Sequence, residues 1–257
     1  MIISKIQGGL GNQLFQWAFA KSLSEKYNKS LYLDLNFYNN QIGVTKREFS
    51  LNKFPNLRYK IHNQKPKSSV IRITDDFIFR THTLLDNYIY YLDGYWQSER
   101  YFMEISNTIR DSLRMSGSKK ELFSKNNFSG SVSMHIRRTD YVTSNGYHPV
   151  QSIEYYKNAL DIIGKYENLY VFSDDINWCK SNLRFKDMTF VQNSEDIDDL
   201  WMMSLCDHNI IANSSFSWWG AWLNKNTNKK VISPKRWFGE QTNLNSDDII
   251  PVSWIKI

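Results

Sequence analysis

Residues 2–35 read IISKIQGGLGNQLFQWAFAKSLSEKYNKSLYLDL. Ile2 to Ile6 is a short apolar run, and Gly8, Gly9 and Gly11 then break it. Leu14 to Tyr27 follows with Leu14, Ala18 and the Phe15/Phe19 pair at helical spacing, and Leu31 to Leu35 is apolar again. Spacings of three and four residues mark a helix face, and a short apolar run closed by turn residues marks a strand. The stretch is therefore a strand, a glycine turn, a helix and a second strand. Strands joined through a helix pair in parallel, because a parallel return needs a long crossover.

Outward from this unit the first half is less regular. Residues 40–80 are polar and carry Pro55 and Pro66, and the pattern assigns no element there. Tyr88 to Leu92 reads as a strand. Ser98 is placed to cap a helix through Leu113, with Glu99 in its first turn. Ser116 to Lys120 is a polar break, and the Ser/Asn-rich stretch to Gly130 reads as a linker.

The second half alternates cleanly. Strands are expected at Val132–Ile136, Leu169–Phe172, Met188–Val191, His208–Ala212 and Val231–Ile232. Helices are expected from a Ser152 cap to Ile163, from Ile176 to Leu183, from a Ser194 cap to Leu205, and from Phe216 to Leu223. Alternation of this kind predicts a parallel sheet covered on both faces. Ligands bind such sheets beyond the carboxyl ends of the strands.

The 257 residues suffice for one large domain or two small ones, and 41% hydrophobic content argues for a folded chain. Aromatic residues reach 15%, with nine Trp. Such rings fill cores, and their faces also suit the C–H face of a sugar. The net charge of +6 and pI near 9.1 suit an anionic ligand, a nucleic acid or an acidic membrane surface. The basic residues are scattered rather than striped among aromatics, which argues against nucleic acid. Cys179 and Cys206 form no CxxC pair and read as buried free thiols. The start is too short for a signal h-region, and no apolar run approaches ~18 residues, so a cytoplasmic chain without a membrane span is expected. In that compartment the Asn-x-Ser/Thr sites at Asn28, Asn127 and Asn213 carry no glycan.

Four strand ends concentrate polar chemistry. Gln7 to Gln13 places three glycines between a strand and a helix start, as a structural turn or as a phosphate loop. Its spacing is neither GxGxxG nor a P-loop. His135-Ile136-Arg137-Arg138-Thr139-Asp140 puts two guanidiniums at a strand end, where one can grip a diphosphate or pair with nearby carboxylates. Asp174 and Asp175 follow the next strand. Asp174 could take a guanine edge or ribose hydroxyls, and Asp175 reads better as a helix cap. Ser214, Ser215 and Ser217 gather with Phe216 at a helix start, more hydroxyls than capping needs, and Trp218 and Trp219 read as core. Glu195 to Asp199 reads as acidic residues favoured by a helix dipole rather than as a metal site.

QGGLGNQLFQWAFA, GYWQSERYF at 94–102, HIRRTDYV at 135–142, FSDD at 172–175 and NSSFSWWGAWL at 213–223 together resemble the α-1,2-fucosyltransferases of glycosyltransferase family 11. The resemblance runs through nearly the whole chain. It implies an α/β, GT-B-like fold of two Rossmann-like domains with parallel sheets facing a cleft. Residues 1–118 would be the acceptor-side domain and 130–257 the GDP-fucose domain. The chain is short for the family, and the acceptor-side domain is expected to be trimmed, mostly in 40–80. The resemblance implies inverting transfer of fucose to the 2-hydroxyl of a terminal galactose, with no metal and no cofactor. Arg137 would hold the β-phosphate, and His135 and Asp174 would face the guanine and ribose. Arg138 and Phe216 count with the donor site. Ser214, Ser215 and Ser217 would bind the pyrophosphate, and Gly9, Gly11 and Asn12 would close over the sugar and phosphates. Asp140, then His148, are the candidate bases. Partners would be GDP-fucose and a galactose-terminated glycan, free or lipid-linked, and the positive charge would suit peripheral contact with an anionic membrane. The alternatives are another nucleotide-sugar transferase, including a metal-dependent one built on a DxD motif, and a non-catalytic nucleotide- or sugar-binding module.

Overall fold

The structure is a computed structural model that describes residues 1–43, 45–62, 70–124, 128–143, 146–192 and 194–257. Pro66 and Asn127 lie outside the described residues. The chain divides into two compact units, Met1–Met115 with Asn245–Pro251, and Ser116–Leu244 with Val252–Ile257. Each is an α/β unit with a wholly parallel sheet, the GT-B-like class expected.

In the first unit, strand β1 is Ile2–Lys5, helix α1 Leu10–Lys26, β2 Leu31–Asp34, β3 Lys60–Ile61, β4 Ile71–Thr74 and β5 Tyr90–Asp93, followed by helix α2 at Ser106–Ser112. The sheet order is β3-β2-β1-β5-β4, every pair parallel. Between Leu10 and Ala20, α1 is buried on nearly every side, Gln13 and Gln16 included. A helix sunk this far is packed on all faces, so the Leu14/Ala18 stripe is only part of its contact surface.

The helix expected from Ser98 to Leu113 is broken. The Ser98 hydroxyl accepts the Arg100 N–H at 3.4 Å, but it starts a 3₁₀ turn, Glu99–Tyr101. A second such turn, Met103–Ile105, precedes α2. Consecutive rings explain the break. Tyr101 packs 4.7 Å from Phe19, and Phe102, fully buried, packs 6.2 Å from Phe15. A continuous helix would rotate successive side chains by about 100°, whereas Phe102, at φ −139° and ψ 13°, leaves the helical conformation and lets both rings go inward. Residues 245–251, expected within the second domain, return to the first unit. Ile249 and Ile250 are buried, Asp248 pairs with Arg100, and its other carboxylate oxygen accepts the Phe79 N–H at 3.0 Å.

In the second unit, α3 is Gly117–Phe123, β6 Ser131–Ile136, α4 Thr139–Val142, α5 Ile153–Ile163, β7 Asn168–Ser173, α6 Ile176–Asn182, β8 Met188–Phe190, α7 Asp196–Leu205, β9 His208–Ile210, α8 Ser215–Leu223, β10 Val231–Ser233 and β11 Ile255–Lys256. The parallel sheet runs β11-β10-β9-β6-β7-β8. The expected linker begins as α3, because Ser116 caps it and Lys119 reaches Asp198 of α7 at 2.6 Å. Ser152 caps α5 through the Tyr155 N–H at 3.1 Å, as expected. Ser194 does not cap α7. Glu195 holds that position, and the Ser194 hydroxyl bonds the Asp199 carboxylate instead. Both cysteines are buried free thiols. Trp218 and Trp219 are fully buried, and Trp218 packs against Trp222 and Trp254. Among the described residues no helix is long and apolar enough to cross a membrane.

Candidate active site

In the second unit the chain runs from central β6 outward through β7 and β8, then returns to β9 on the other side of β6 and continues to β10 and β11. The crossovers leave β6 and β9 in opposite directions, so the loops beyond their carboxyl ends part and leave a crevice. The loop after β6 is Arg137-Arg138, and the loop after β9 is Ile211 to Ser214. Two of the sequence motifs therefore border one crevice.

The two arginines diverge. Arg137 Nε and Nη2 donate to the two Asp140 oxygens at 2.9 and 2.8 Å, and Nε lies 3.2 Å from Asp174. The guanidinium lies 5.6 Å from the Tyr141 ring, whose hydroxyl donates to the Asn213 carbonyl at 2.8 Å. Arg137 is thus brought to the side of the turn that starts α8. A guanidinium has five N–H donors, and Asp140 takes two, which leaves donors in a fork suited to phosphate. Burial opposes the charge on Arg137, but the Asp140 hydrogen bonds and the Asp174 carboxylate outweigh it and raise its pKa. Arg138 turns the other way. It lies 3.7 Å above the Trp178 ring of α6 and donates to Asp175 at 3.4 Å.

The carboxylates are more occupied than the motifs implied. Asp140, expected as the first candidate base, has both oxygens tied to Arg137. Asp174, expected to face guanine or ribose, accepts the Arg138 N–H at 2.9 Å, the Thr139 N–H at 3.1 Å and the Thr139 hydroxyl, so it clamps the turn after β6. Asp175 caps α6, accepting the Trp178 N–H at 3.2 Å. His148 stacks on Tyr141 at 4.6 Å with 16° between the planes, and packs 5.7 Å from Phe238. Burial pulls its pKa down, so the ring is neutral near pH 7 and can accept a proton.

Ser214 precedes α8 and makes no side-chain cap bond, and the Ser217 hydroxyl donates to the Ser214 carbonyl at 3.3 Å. Asn213 fixes the loop, its amide donating to the Trp237 carbonyl at 2.9 Å and its oxygen accepting from Gln151 at 3.1 Å. Ser215 and Phe216 are half-buried, and the Phe216 ring lies 5.6 Å from His135. Tyr141, Gln151 and Trp178 were not singled out in the sequence, since their roles depend on partners distant in the chain.

His135 is 5% exposed, and its Nδ1 has no partner in the protein. Burial, reinforced by the Arg137 charge and opposed by Asp174, drives its pKa to about 3. The unfolded ring titrates near 6.5. Below about pH 6.5 the unfolded chain therefore holds a proton that the native state refuses, and stability falls as pH drops toward 3. One such group contributes up to ~1.4 kcal/mol per pH unit in that window. His82, His148 and His208 are shifted the same way, whereas Asp199, raised to about 6 by burial, acts oppositely between its unfolded value and about 6. Urea midpoints are therefore expected to drop from pH 7 to pH 5, and His135→Asn to show a shallower slope. An unchanged slope would remove His135 from the account.

The first unit has its own reversal, between β1 and β5. Beyond β1 stands the glycine turn, and beyond β5 stands Gly94 to Gln97. Gly8 has φ +77°, a conformation suited to glycine. Its carbonyl accepts from Gln13 Nε2 at 3.0 Å and from the Tyr38 hydroxyl at 3.1 Å. Gln13 also donates to the Glu48 carbonyl at 2.7 Å and accepts the Ser50 N–H at 2.8 Å, stapling part of the irregular segment to the turn. Asn12 accepts from Gln97 at 2.9 Å. Gly9 and Gly11 lie on either side of Leu10, where α1 starts. The sequence clue to the anchoring of this turn was two glutamines, Gln13 and Gln16, one turn apart in an apolar helix, because buried amides need partners. Among the described residues no group of three or more His, Cys, Asp or Glu could hold a metal ion.

The profile of Glycosyl transferase family 11 matches residues 50–257. An alpha-1,2-colitosyltransferase of Escherichia coli is 33% identical, with the alignment covering 100% of this chain and 99% of that protein. The O-antigen biosynthesis glycosyltransferase WbnK of Escherichia coli is 30% identical, with 99% of each chain covered. Among solved structures, the fucosyltransferase NodZ from Bradyrhizobium superposes with a TM-score of 0.48 at 14% identity, over 85% of this chain and 91% of that one.

Proposed function

The chain belongs to glycosyl transferase family 11 and is a glycosyltransferase, and from that premise we propose that it moves L-fucose from GDP-β-L-fucose to the 2-hydroxyl of a terminal galactose, with inversion and without a metal. The observation that carries the reading is the Arg137 guanidinium, aimed by Asp140 and linked through Tyr141 to the loop before Ser214. As the sugar departs, negative charge develops on the β-phosphate. A fixed guanidinium and the N–H groups of the α8 start stabilise that charge without reorganising, which is the role a divalent cation fills elsewhere. Ser214 and Ser215 supply hydroxyls to the pyrophosphate, whereas Ser217, expected with them, is buried and spends its one hydroxyl proton on the Ser214 carbonyl. Asp140 is then a positioning residue, and His148, neutral through burial, is the candidate base for the acceptor hydroxyl.

A second reading, transfer of a colitosyl group, is favoured by the relative whose name gives that sugar with the same α-1,2 linkage. Thermal shift against a panel of nucleotide sugars, GDP-fucose and GDP-colitose included, separates the two. Product linkage on galactosides then tests the acceptor. GDP-fucose is expected to give the larger shift, with turnover retained in excess EDTA and a 1→2 linkage formed. A stronger response to uridine- or thymidine-linked sugars, or loss of turnover with EDTA, would overturn the reading. The excess of positive charge supports peripheral contact with anionic membranes, for which liposome co-sedimentation at low salt is the test.

A further inference from the structure

Gly9 has no conformational reason to be glycine. Its φ is −78°, open to any residue, and a Cβ built on it would meet only the Arg47 side chain, at 3.8 and 3.9 Å from Cδ and Nε. Those are ordinary van der Waals distances, so the protein alone would accept alanine there. The missing side chain leaves a cradle between the turn and Arg47, and Arg47 is held over it. The Arg47 N–H donates to Gln41 Oε1 at 2.7 Å, and Gln41 Nε2 donates back to the Arg47 carbonyl at 2.8 Å. Gln13 ties the neighbouring Glu48 and Ser50 backbone to the same turn. Beneath the turn, Gln16 is fully buried, accepts the Gln7 N–H at 2.9 Å, and leaves its Nε2 donor without a partner in the protein. No acidic residue occupies the first turn of α1. The cradle is thus lined by a guanidinium and by backbone at a helix start, chemistry that receives an anion.

We propose that Arg47 and Gly9 form a phosphate-binding site belonging to the first unit, Arg47 gripping a phosphate or diphosphate group and Gly9 making room for it. The proposal rests on the proposed transfer from a nucleotide diphosphate sugar and on the place the family resemblance implies for Gly9 beside its phosphates, and it adds a cation from a segment where the sequence pattern assigned nothing. The diphosphate could arrive on the nucleotide sugar or on a diphosphate-linked acceptor.

The test is NMR titration of the whole chain with inorganic pyrophosphate, following the amides of Gly8, Gly9 and Leu10. These resonances are expected to shift in the wild type, and Arg47→Gln to weaken the response at least tenfold. Gly9→Ala is expected to weaken it similarly while melting within a degree or two of the wild type. Parallel titrations with GDP and with an alkyl diphosphate assign the source to whichever moves the same amides at lower concentration. Unmoved amides, equal shifts in Arg47→Gln, or wild-type binding by Gly9→Ala would each overturn the site. Failure of GDP to bind anywhere, with pyrophosphate still moving these amides, would count against the donor assignment and leave this site standing.

Discussion

Arg137→Ala is expected to lower kcat/KM by ~10²–10³-fold while the second unit still folds, since loss of one preorganised donor to developing charge has that effect in other enzymes. The fold should tolerate the change because the turn after β6 has other anchors. Asp174 keeps the Arg138 N–H, the Thr139 N–H and the Thr139 hydroxyl. Asp140 loses its partner but is 28% exposed, so water can solvate the carboxylate left behind. Arg137→Lys should fall between, since an ammonium keeps the charge but loses the fork that matches two phosphate oxygens. The Arg137→Ala/Asp140→Ala double variant removes the orphaned carboxylate as an explanation. It should recover any lost stability and none of the activity. Steady-state kinetics, GDP affinity and thermal melts on the four proteins read these outcomes. Near-normal turnover in Arg137→Ala would end the proposal for this crevice.

What the sequence made legible was local. Short apolar runs and helical spacing are properties of neighbours, so β1, β2, α1 and, in the second unit, β6 to β10 and α5 to α8 could be read directly, and the polar motifs fell on strand ends. The short helices α3 and α4 and the strands β3, β4 and β11 escaped. Both residues of Lys60–Ile61 and most of Ile71–Thr74 are exposed, Ile61 by 48%. Their identity comes from pairing with β2 and β5 rather than from a pattern of their own. The roles within HIRRTD were equally hidden. An aspartate that orients an arginine and one that takes a proton look alike in a string of letters. Only the paired contacts of Asp140 with Arg137 distinguish them. Arg47 lay in a stretch without periodicity, and its link to the glycine turn runs through the buried amide of Gln13, a contact between residues far apart in sequence.

Gly94→Ala is expected to cost about 3 kcal/mol or more in the first unit, at the upper end of what overpacking does. An added Cβ would sit 2.2 Å from Asp75 Cβ and 3.0 Å from both the Asp75 nitrogen and Trp96 Cε2. Asp75 cannot step aside cheaply. It directly follows β4, which pairs with β5, and its carboxylate accepts the N–H groups of Phe77, Tyr95 and Trp96 at 3.0, 3.1 and 2.9 Å. Those bonds hold Trp96 at φ +56°, a left-handed conformation that costs a non-glycine residue ~1–2 kcal/mol. The ring is 1% exposed, 4.4 Å from Phe19 and 5.6 Å from Tyr101, so burial offsets that cost only while the Asp75 clamp stands. Displacing Asp75 also frees Gln97, which anchors Asn12 beside the glycine turn, so activity should fall along with the melting temperature. Asp75→Asn, which keeps the shape and weakens the acceptor, should cost about 1 kcal/mol by the same route. Gly9→Ala sets the scale, because its added methyl meets only ordinary contacts and should leave the melt unchanged. If Gly94→Ala melts with the wild type, the clamp does not hold this corner of the first sheet, and the placement of Gln97 and Asn12 needs another cause.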